Sequence, residues 1–293
     1  MATSTKIFQT SGGTILNSNA VSNFYANPDL TPEIHKELEL GIEAKFLKNR
    51  VGVDVSLFTK DSEDLIIDLD LDNSTGYTQS TVNSASINNK GVEAILNVIP
   101  VQSRDFTWDV TASFSLLRSE VISIADGIDQ IYVGGYVGRG NIAIPGLPYG
   151  ILEGELIRRD YGSLDGTDHT QVHWDDRTGY TPIVNANGGY QFLGYGVIGN
   201  PQPDYVYGVT NTLSYKWATL RVQFDSQVGG DVFSTTNSTL LGRGILQETD
   251  FDRFVPVVTN GLSADGTPNT TQTTANAHYL SLIHISEPTR RAI

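Results

Sequence analysis

Three pairs of alternating segments, each joined by a very short turn, constrain the fold of this chain most strongly. The pairs are residues 36–46 with 51–59, 91–98 with 106–116, and 205–215 with 218–228. Long connections, residues 61–89, 119–204 and 229–279, follow the pairs. A barrel that crosses a membrane has short turns on one rim and long loops on the other. We therefore predict an all-β fold, an antiparallel transmembrane β-barrel present here as a partial open sheet of about six to eight long strands with long extracellular loops.

Apolar and polar residues alternate within each segment. In residues 106–116, Phe106, Trp108 and Val110 share one phase, whereas Thr107 and Asp109 share the other. A period of two predicts a strand with one apolar face. Each run has about the ten residues that a tilted strand needs to cross a bilayer. In residues 205–215 tyrosines bracket the aliphatic middle, as expected of rings that favour the headgroup level.

Composition narrows the class of protein further. Acidic residues number 33 and basic residues 19, which gives a net charge of −14 and argues against a nucleic-acid partner. Cysteine is absent, so the sequence provides no disulfide framework and no thiolate metal site. We find no apolar run of about 18 residues, no helical periodicity of useful length and no linker between globular halves. One continuous β unit is the simplest interpretation.

Five stretches, in one order along the chain, resemble motifs of a single family. They are residues 27–33 with 37–42 (NPDLTPE and ELELGI), 58–60 with 64–66 (FTK and DLI), 83–93 (NSASINNKGVE), 199–204 with 208–216 (GNPQPD and GVTNTLSYK) and 229–233 (GGDVF). This set is similar to SusC/RagA-type TonB-linked (TonB-dependent) outer-membrane transporters. Two positions depart from the family pattern: the usual glycine is missing at Ser84 to Ser86, and Ser234 stands where asparagine is common.

The resemblance implies a fold, a location and a function. The complete protein would be a plugged barrel of about 22 strands in the outer membrane of a Gram-negative bacterium, in contact with the lipid bilayer. It would import oligosaccharides or peptides together with a SusD-like surface lipoprotein, with energy from the TonB complex through an N-terminal part. No enzyme activity and no cofactor are expected. Tyr132, Tyr136 and Tyr149, in the long loop 119–204, are the substrate-stacking or lid-contact residues that we predict; local packing is the alternative role.

The two ends of the chain also carry predictions. Residues 1–8 lack the charged and apolar regions of a secretory signal, so we expect Met1 not to be the native start. Residues 280–290 resemble the translation of a sequencing adapter, which predicts an artefactual tail at 280–293. The remaining residues, 1–279, would form a partial TonB-dependent receptor β-barrel domain without its plug domain or signal peptide.

One acidic cluster and one pair of histidines have spacings that partly match known kinds of metal site. Asp68, Asp70 and Asp72 alternate like the start of a calcium loop, but Asn73 and Gln79 replace the glycine and the glutamate that such a loop requires. We therefore expect an acidic strand face there. His169 and His173 have the spacing of zinc ligands on a helix, but glycines punctuate the stretch and favour a solvated loop. No metal or catalytic residue is predicted, and the pair Glu153 and Glu155 is unspecific.

Two other classes of protein stay open on the sequence. A soluble extracellular β-sandwich that binds glycans predicts polar residues at Val53, Val110 and Val222, where the sequence has valines. A barrel-type outer-membrane enzyme requires inward carboxylates at matched heights on neighbouring strands. Glu39, Asp54 and Asp109 are the residues that could meet this requirement.

Overall fold

A computed structural model describes most of the chain. The described residues are 3–9, 13, 15–21, 23–136, 138–160, 176, 179–250, 252, 254–274 and 289–290. Within these ranges the strands are β1 Thr3–Gln9, β2 Ile15–Val21, β3 Phe24–Tyr25, β4 Ile34–Phe46, β5 Val51–Asp70, β6 Gln79–Gln102, β7 Phe106–Ser123, β8 Ile131–Tyr136, β9 Arg139–Ala143, β10 Ile151–Ile157, β11 Arg159–Asp160, β12 Thr181–Pro182, β13 Phe192–Gly199, β14 Pro203–Tyr215, β15 Ala218–Gly229, β16 Asp231–Val232, β17 Pro256–Val258, β18 Gln272–Thr274 and β19 Thr289–Arg290. An α-helix, α1, spans Thr235–Gly242, and short 3₁₀ turns span Asn73–Thr75 and Gln247–Thr249. None of the described helices is long and apolar enough to cross a membrane.

Six long antiparallel strands form one sheet, which we call the wall. Their order across the sheet is β15, β14, β7, β6, β5 and β4, and β3 pairs in parallel with β6 beside this path. The three predicted hairpins are therefore present, and β7 and β14 pair directly although residues 124–202 separate them in sequence. Because the sheet is open, with β4 and β15 at its edges, the prediction of a partial barrel is confirmed.

The short turns of the wall lie on one rim. Phe46 pairs with Val51, Gln102 with Thr107, and Tyr215 with Ala218, so the chain reverses at the same end of the sheet in all three hairpins. Hydrogen bonds join each outer turn to the middle hairpin: the Ile99 amide of β6 donates to the Arg50 carbonyl at 2.8 Å, and the Lys216 amide donates to the Asp105 carbonyl at 2.9 Å. We call this edge the short-turn rim.

The strands extend beyond the predicted ten residues on the opposite side. Residues 61–70 and 79–89 were expected to lie in a long loop, but they continue β5 and β6 and pair with each other, so this prediction was wrong. The loop between them is reduced to residues 71–78. The alternation was hard to follow there because the register shifts between Ser62 and Leu65, where Asp64 takes a left-handed backbone with φ 55°. Helix α1 was also not expected.

One face of the wall is apolar across all six strands. The paired rows are Phe46, Val51, Val98, Val110, Asn211 and Val222; Ala44, Val53, Leu96, Ala112, Val209 and Phe224; and Ile42, Val55, Ala94, Phe114, Tyr207 and Ser226. At the β4 edge these side chains are open to the surroundings: Leu40 is 69% exposed and Ile42 is 72% exposed. A soluble sandwich would bury such an apolar face, whereas Leu40, Ile42 and Val222 are exposed, which argues against that alternative. We call this apolar face of the wall the lipid face.

Two polar residues, Asn211 and Ser226, and several aromatic rings interrupt the aliphatic side chains of the lipid face. Asn211 lies among apolar neighbours, and its Oδ1 accepts a hydrogen bond from the Trp108 indole Nε1 at 3.2 Å. Nearer the long-loop side, the ring of Tyr205 lies 5.7 Å from that of Phe114 and 6.2 Å from that of Tyr207. At the short-turn rim, Trp217 is 93% exposed. The rings thus bracket the aliphatic middle, as the sequence predicted.

The opposite face of the wall is polar. Its paired rows include Glu43, Asp54, Ile95, Ser113, Gly208 and Asp225, and then Lys45, Gly52, Asn97, Thr111, Thr210 and Gln223. Two glycines of this face differ in their surroundings. A Cβ on Gly91 would collide with the ring of Phe58, which lies over it from the neighbouring strand, whereas a Cβ on Gly52 would lie 3.7 Å from the Cβ of Asn97. Gly91, in the NKGVE stretch, therefore makes room for an aromatic ring.

A second sheet, which we call the outer sheet, lies at the long-loop end of the wall. Its strand order is β13, β10, β9 and β8. Val121 of β7, Ala85 of β6 and Ala143 of β9 are buried together with Ile124, and Leu65, Ile67 and Ile131 pack against them. A separate cluster of Leu152, Leu156 and Ile198 packs against Leu193 and Phe233. The first cluster attaches the outer sheet to the extended ends of β5, β6 and β7.

Replacing Gly91 with alanine tests the packing on the polar face. Gly91→Ala forces the Phe58 ring off its site, and overpacking of this kind costs about 1–3 kcal/mol of stability. Unfolding of the protein in detergent micelles, followed by heat-dependent gel migration, measures the loss.

Gly52→Ala is the matched control, with an expected change within about 0.5 kcal/mol. The cost of Gly91→Ala should also fall when Phe58 is replaced by alanine. Equal effects of Gly91→Ala and Gly52→Ala would contradict the role given to Phe58.

Candidate functional site

The predicted tyrosines lie around the outer sheet. Tyr132 and Tyr136 belong to β8, and Tyr149 lies in the turn before β10. Tyr132 is 38% exposed, and the side chain of Tyr136 lies outside the described part of the structure. The Tyr149 carbonyl accepts a hydrogen bond from Gln202 Nε2 at 3.2 Å, so this residue belongs to the junction with β14. The described contacts place Tyr132 and Tyr149 in separate local networks.

Tyr132 is held by a buried carboxylate that its sequence context did not distinguish from the other acidic residues. Glu153, in the middle of β10, is 3% exposed. Its Oε2 accepts hydrogen bonds from the Tyr132 hydroxyl at 2.8 Å and from the Gly138 amide at 2.7 Å, and its Oε1 accepts one from Gln130 Nε2 at 2.9 Å. Three donors compensate for burying the carboxylate. The apolar residues that flank Glu153 and Glu155 in Ile151–Ile157 were the available signal in the sequence.

The Glu153 network fixes the β8–β9 hairpin. Gln130 precedes β8 and Gly138 precedes β9, so both ends of the first strand and the turn itself are tied to β10. A Cβ on Gly138 would collide with the ring of Tyr195, which lies against it from β13. Tyr132 and Tyr195 thus contact one unit, formed by Glu153 and Gly138, from two sides. Both rings stay partly exposed, which gives the outer sheet an aromatic surface.

The proton of the Tyr132 hydroxyl is held more tightly than in water. Burial raises the pKa of Tyr132, and the hydrogen bond to the Glu153 carboxylate raises it further. The phenol therefore remains a donor to Glu153 throughout the neutral range. Ionisation would place a phenolate against a carboxylate and break this contact.

The carboxylates proposed for a barrel enzyme do not lie at one height. Glu39 pairs with Phe58, Asp54 with Glu43, and Asp109 with Thr212. Along the strands these positions are separated by about four residues, or roughly 13 Å. The requirement for matched carboxylates is therefore not met by Glu39, Asp54 and Asp109.

A shallow groove lies on the polar face at mid-wall. Its volume is about 380 Å³, and its lining includes Asp54, Glu93, Ser113, Gly208 and Asp225. Gln223 Nε2 donates to Asp225 Oδ2 at 2.7 Å, and Ser56 Oγ donates to Glu39 Oε1 at 2.7 Å. Polar lumenal residues of this kind are expected in any membrane barrel.

The predictions for the acidic cluster and for the two histidines have different outcomes. Asp68 and Asp70 lie in β5, as the alternative of an acidic strand predicted. Asp72 instead caps the following 3₁₀ turn: its Oδ1 accepts from the Ser74 amide at 2.7 Å, and the hydrogen bonds from Ser74 lower the pKa of Asp72. His169 and His173 lie outside the described residues.

Two motifs that the sequence presents separately contact each other at the long-loop end of β14 and β15. The Asn200 amide donates to Asp231 Oδ2 at 2.7 Å, and the Asp231 amide donates to the Asn200 carbonyl at 2.8 Å. Gly229 and Gly230 have φ angles of 73° and 82°, in the left-handed region that favours glycine. A Cβ on Gly230 would lie 2.9 Å from the Pro201 carbonyl oxygen. The GNPQPD and GGD stretches thus form one clasp.

The NPDLTPE stretch forms a second clasp with the extended strands. The Thr31 amide donates to Asn83 Oδ1 at 2.8 Å, and Asn83 Nδ2 donates to the Thr31 carbonyl at 2.7 Å and to the Asp64 carbonyl at 2.8 Å. Glu33 Oε1 accepts from the Ile66 amide at 2.9 Å, beside the irregular backbone at Asp64. Three of the resembling stretches therefore meet at one place.

Comparison with known proteins agrees with this geometry. A family described as "TonB dependent receptor-like, beta-barrel" matches residues 2–225. The chain is 27% identical over 231 residues to TonB-dependent receptor P3 of Formosa agariphila, which covers 75% of the chain and 22% of that protein. It is 28% identical over 105 residues to TonB-dependent receptor SusC of Bacteroides thetaiotaomicron, which covers 34% of the chain and 10% of that protein.

A solved structure with the same fold is that of the RagAB peptide transporter. The TM-score is 0.60 at 17% sequence identity, and the match covers all of this chain and 29% of that one. The chain thus spans between a tenth and about three tenths of the proteins that it resembles in these comparisons.

The Tyr132 contact predicts a dependence on high pH. Because its pKa is raised in the folded protein, the stabilisation is complete below the ordinary tyrosine value near 10.0 and is lost as the pH rises through the folded value. We expect hydrogen exchange of residues 131–143 to accelerate selectively in that range.

Glu153→Gln should lower the pKa of Tyr132 and accelerate the same exchange at neutral pH, since one donor to the carboxylate then loses its acceptor. Tyr132→Phe identifies the phenol in the ultraviolet titration and should remove the acceleration that exceeds the intrinsic rise of amide exchange with pH. Exchange that is equally pH-dependent in Tyr132→Phe would contradict the assignment.

Proposed function

The chain belongs to the TonB-dependent receptor-like β-barrel family, and from that membership we propose that it contributes part of the wall of an outer-membrane transporter for oligosaccharides or peptides. In this proposal the transporter works with a SusD-like surface lipoprotein and draws energy through TonB. The complete protein would carry the further strands and the plug of the family. The lipid bilayer of the outer membrane of a Gram-negative bacterium would surround it.

The continuous lipid face is the observation that carries this proposal. Six antiparallel strands pair along the rows from Phe46 to Val222, so the backbone groups that face each other between neighbouring strands are satisfied within the sheet. The side chains of the same rows form an apolar band that a bilayer would cover. A sheet that is apolar towards lipid and polar on its other face has the pattern of a transmembrane barrel.

The outer sheet supports a role at the extracellular mouth. It lies at the end opposite the short-turn rim, which is where membrane barrels carry their long loops. Its partly exposed rings, Tyr132, Phe192 and Tyr195, present flat apolar surfaces beside polar groups. Such rings stack on sugars or pack against peptide side chains. They support a role in contacting cargo or a lid, and they favour neither class of cargo.

Transport, rather than catalysis, is the activity that we propose. The relatives are named as receptors, and Glu39, Asp54 and Asp109 lie at three different heights on the wall. The solved structure with the same fold is titled a peptide transporter, which makes peptides one of the two cargo classes to test.

Uptake in cells tests the proposed function. Deleting the gene should abolish growth on one class of oligosaccharide or peptide, and the full gene product should restore growth only when TonB is present. Purified protein should leave the same cargo unhydrolysed.

Tyr195→Ala should weaken uptake roughly five-fold, because an aromatic contact contributes about 0.5–1.5 kcal/mol. Tyr215→Ala, at the short-turn rim, is the matched control and should leave uptake unchanged. Uptake that persists without the gene, or hydrolysis of the cargo by purified protein, would refute the proposal.

A further inference from the structure

The short-turn rim has the opposite charge to the rest of the chain. Its turns, residues 47–50, 103–105 and 216–217, contain four basic residues and one acidic residue, a net charge of +3 in a chain whose net charge is −14. The basic residues are Lys48, Arg50, Arg104 and Lys216, and the acidic residue is Asp105. In a bilayer, a cationic edge next to an apolar band lies at the depth of the lipid phosphates.

A groove opens at this rim where the first two hairpins meet. Its volume is about 480 Å³, and it is lined by Leu47, Lys48, Arg50, Val51, Val98, Ile99 and Pro100. Val51 and Val98 are paired members of the lipid face. The apolar floor of the groove is therefore continuous with the surface that a bilayer covers, and the two cations stand at its edge.

The backbone of the first turn presents Leu47 and Lys48 at the groove. Leu47, Lys48 and Asn49 have φ angles of 52°, 57° and 66°, a run of left-handed residues that contains no glycine. Leu47 is 73% exposed, although its side chain is apolar. Such a conformation persists only where its surroundings hold it in place.

Arg50 holds this turn against the neighbouring hairpin. Its Nε donates to the Ile99 carbonyl at 3.1 Å, and its Nη2 donates to the Pro100 carbonyl at 2.7 Å. These bonds fix the guanidinium at the groove and leave its charge in place. Lys48 is exposed and makes no ion pair within the described ranges, so its ammonium group can meet an anion.

We propose that this groove binds an anionic phospholipid of the inner leaflet. The acyl chain would lie on Val51, Val98 and Leu47, and the headgroup phosphate would lie between Lys48 and Arg50. The inference rests on the wall facing lipid, and it does not depend on which cargo the transporter carries. Apolar continuity with the lipid face specifies a lipid, and the two cations specify an anionic one.

Lipid titration of the full gene product in detergent micelles tests this site. Native mass spectrometry would count bound phosphatidylglycerol and bound phosphatidylcholine at matched concentrations. We expect phosphatidylglycerol to bind more tightly, and Lys48→Gln to weaken it roughly five-fold while weakening phosphatidylcholine, whose choline offsets the phosphate charge, much less. Leu47→Ser should weaken both lipids.

Lys60→Gln is the matched control, because Lys60 belongs to the polar face of β5 and lies far along that strand from the short-turn rim. Heat-dependent gel migration of every variant separates lost binding from lost folding. Equal retention of the two lipids, or equal losses in Lys48→Gln and Lys60→Gln, would overturn the proposal. Displacement of the lipid by glycerol phosphate or by polyglutamate would overturn it too, by assigning the rim to a free phosphate or to an acidic protein. Normal uptake in Lys48→Gln would leave the transport proposal intact.

Discussion

Unbroken antiparallel pairing across six strands is the constraint on which the rest of the molecule depends. In lipid, an unpaired backbone amide or carbonyl has no water to bind, so the strands must satisfy one another. The same pairing fixes the two faces, because a slip of one residue would turn every side chain to the other side. The rows that run from Phe46 to Val222 and from Glu43 to Asp225 are two results of one register.

Irregular backbone is concentrated at the ends of the wall. Asn83 supplies the hydrogen-bond partners of the Thr31 backbone, and Asn200 and Asp231 clasp the ends of β14 and β15. The Glu153 carboxylate likewise holds the β8–β9 hairpin by accepting hydrogen bonds from Tyr132 and Gly138. Each of these polar side chains makes hydrogen bonds to backbone groups or to a phenol at a place where the hydrogen bonds between strands end. In this structure, the sequence stretches that resemble family motifs mainly provide such hydrogen bonds at the ends of the strands.

The sequence predicted the wall well and the outer sheet poorly. Strict alternation in residues 106–116 predicts both a strand and its lipid face, because period two leaves one choice of register against a bilayer. The extensions of β5 and β6 were missed because the left-handed Asp64 breaks the alternation. Glu153 was missed for a different reason: its partners, Gln130 and Gly138, come together only after β8, β9 and β10 pair. The clasp between Asn200 and Asp231 likewise needs a pairing that no local pattern contains.

Accessibility along β7 would test the central claim most directly. The chain has no cysteine, so single cysteines at Val110, Thr111, Ala112 and Ser113 can each carry a nitroxide in the full gene product, reconstituted in lipid bilayers. We expect oxygen, which dissolves in lipid, to reach the labels at 110 and 112 preferentially. A water-soluble nickel complex should reach those at 111 and 113. Four labels with equal accessibility, or an inverted alternation, would contradict a wall whose apolar face meets the membrane.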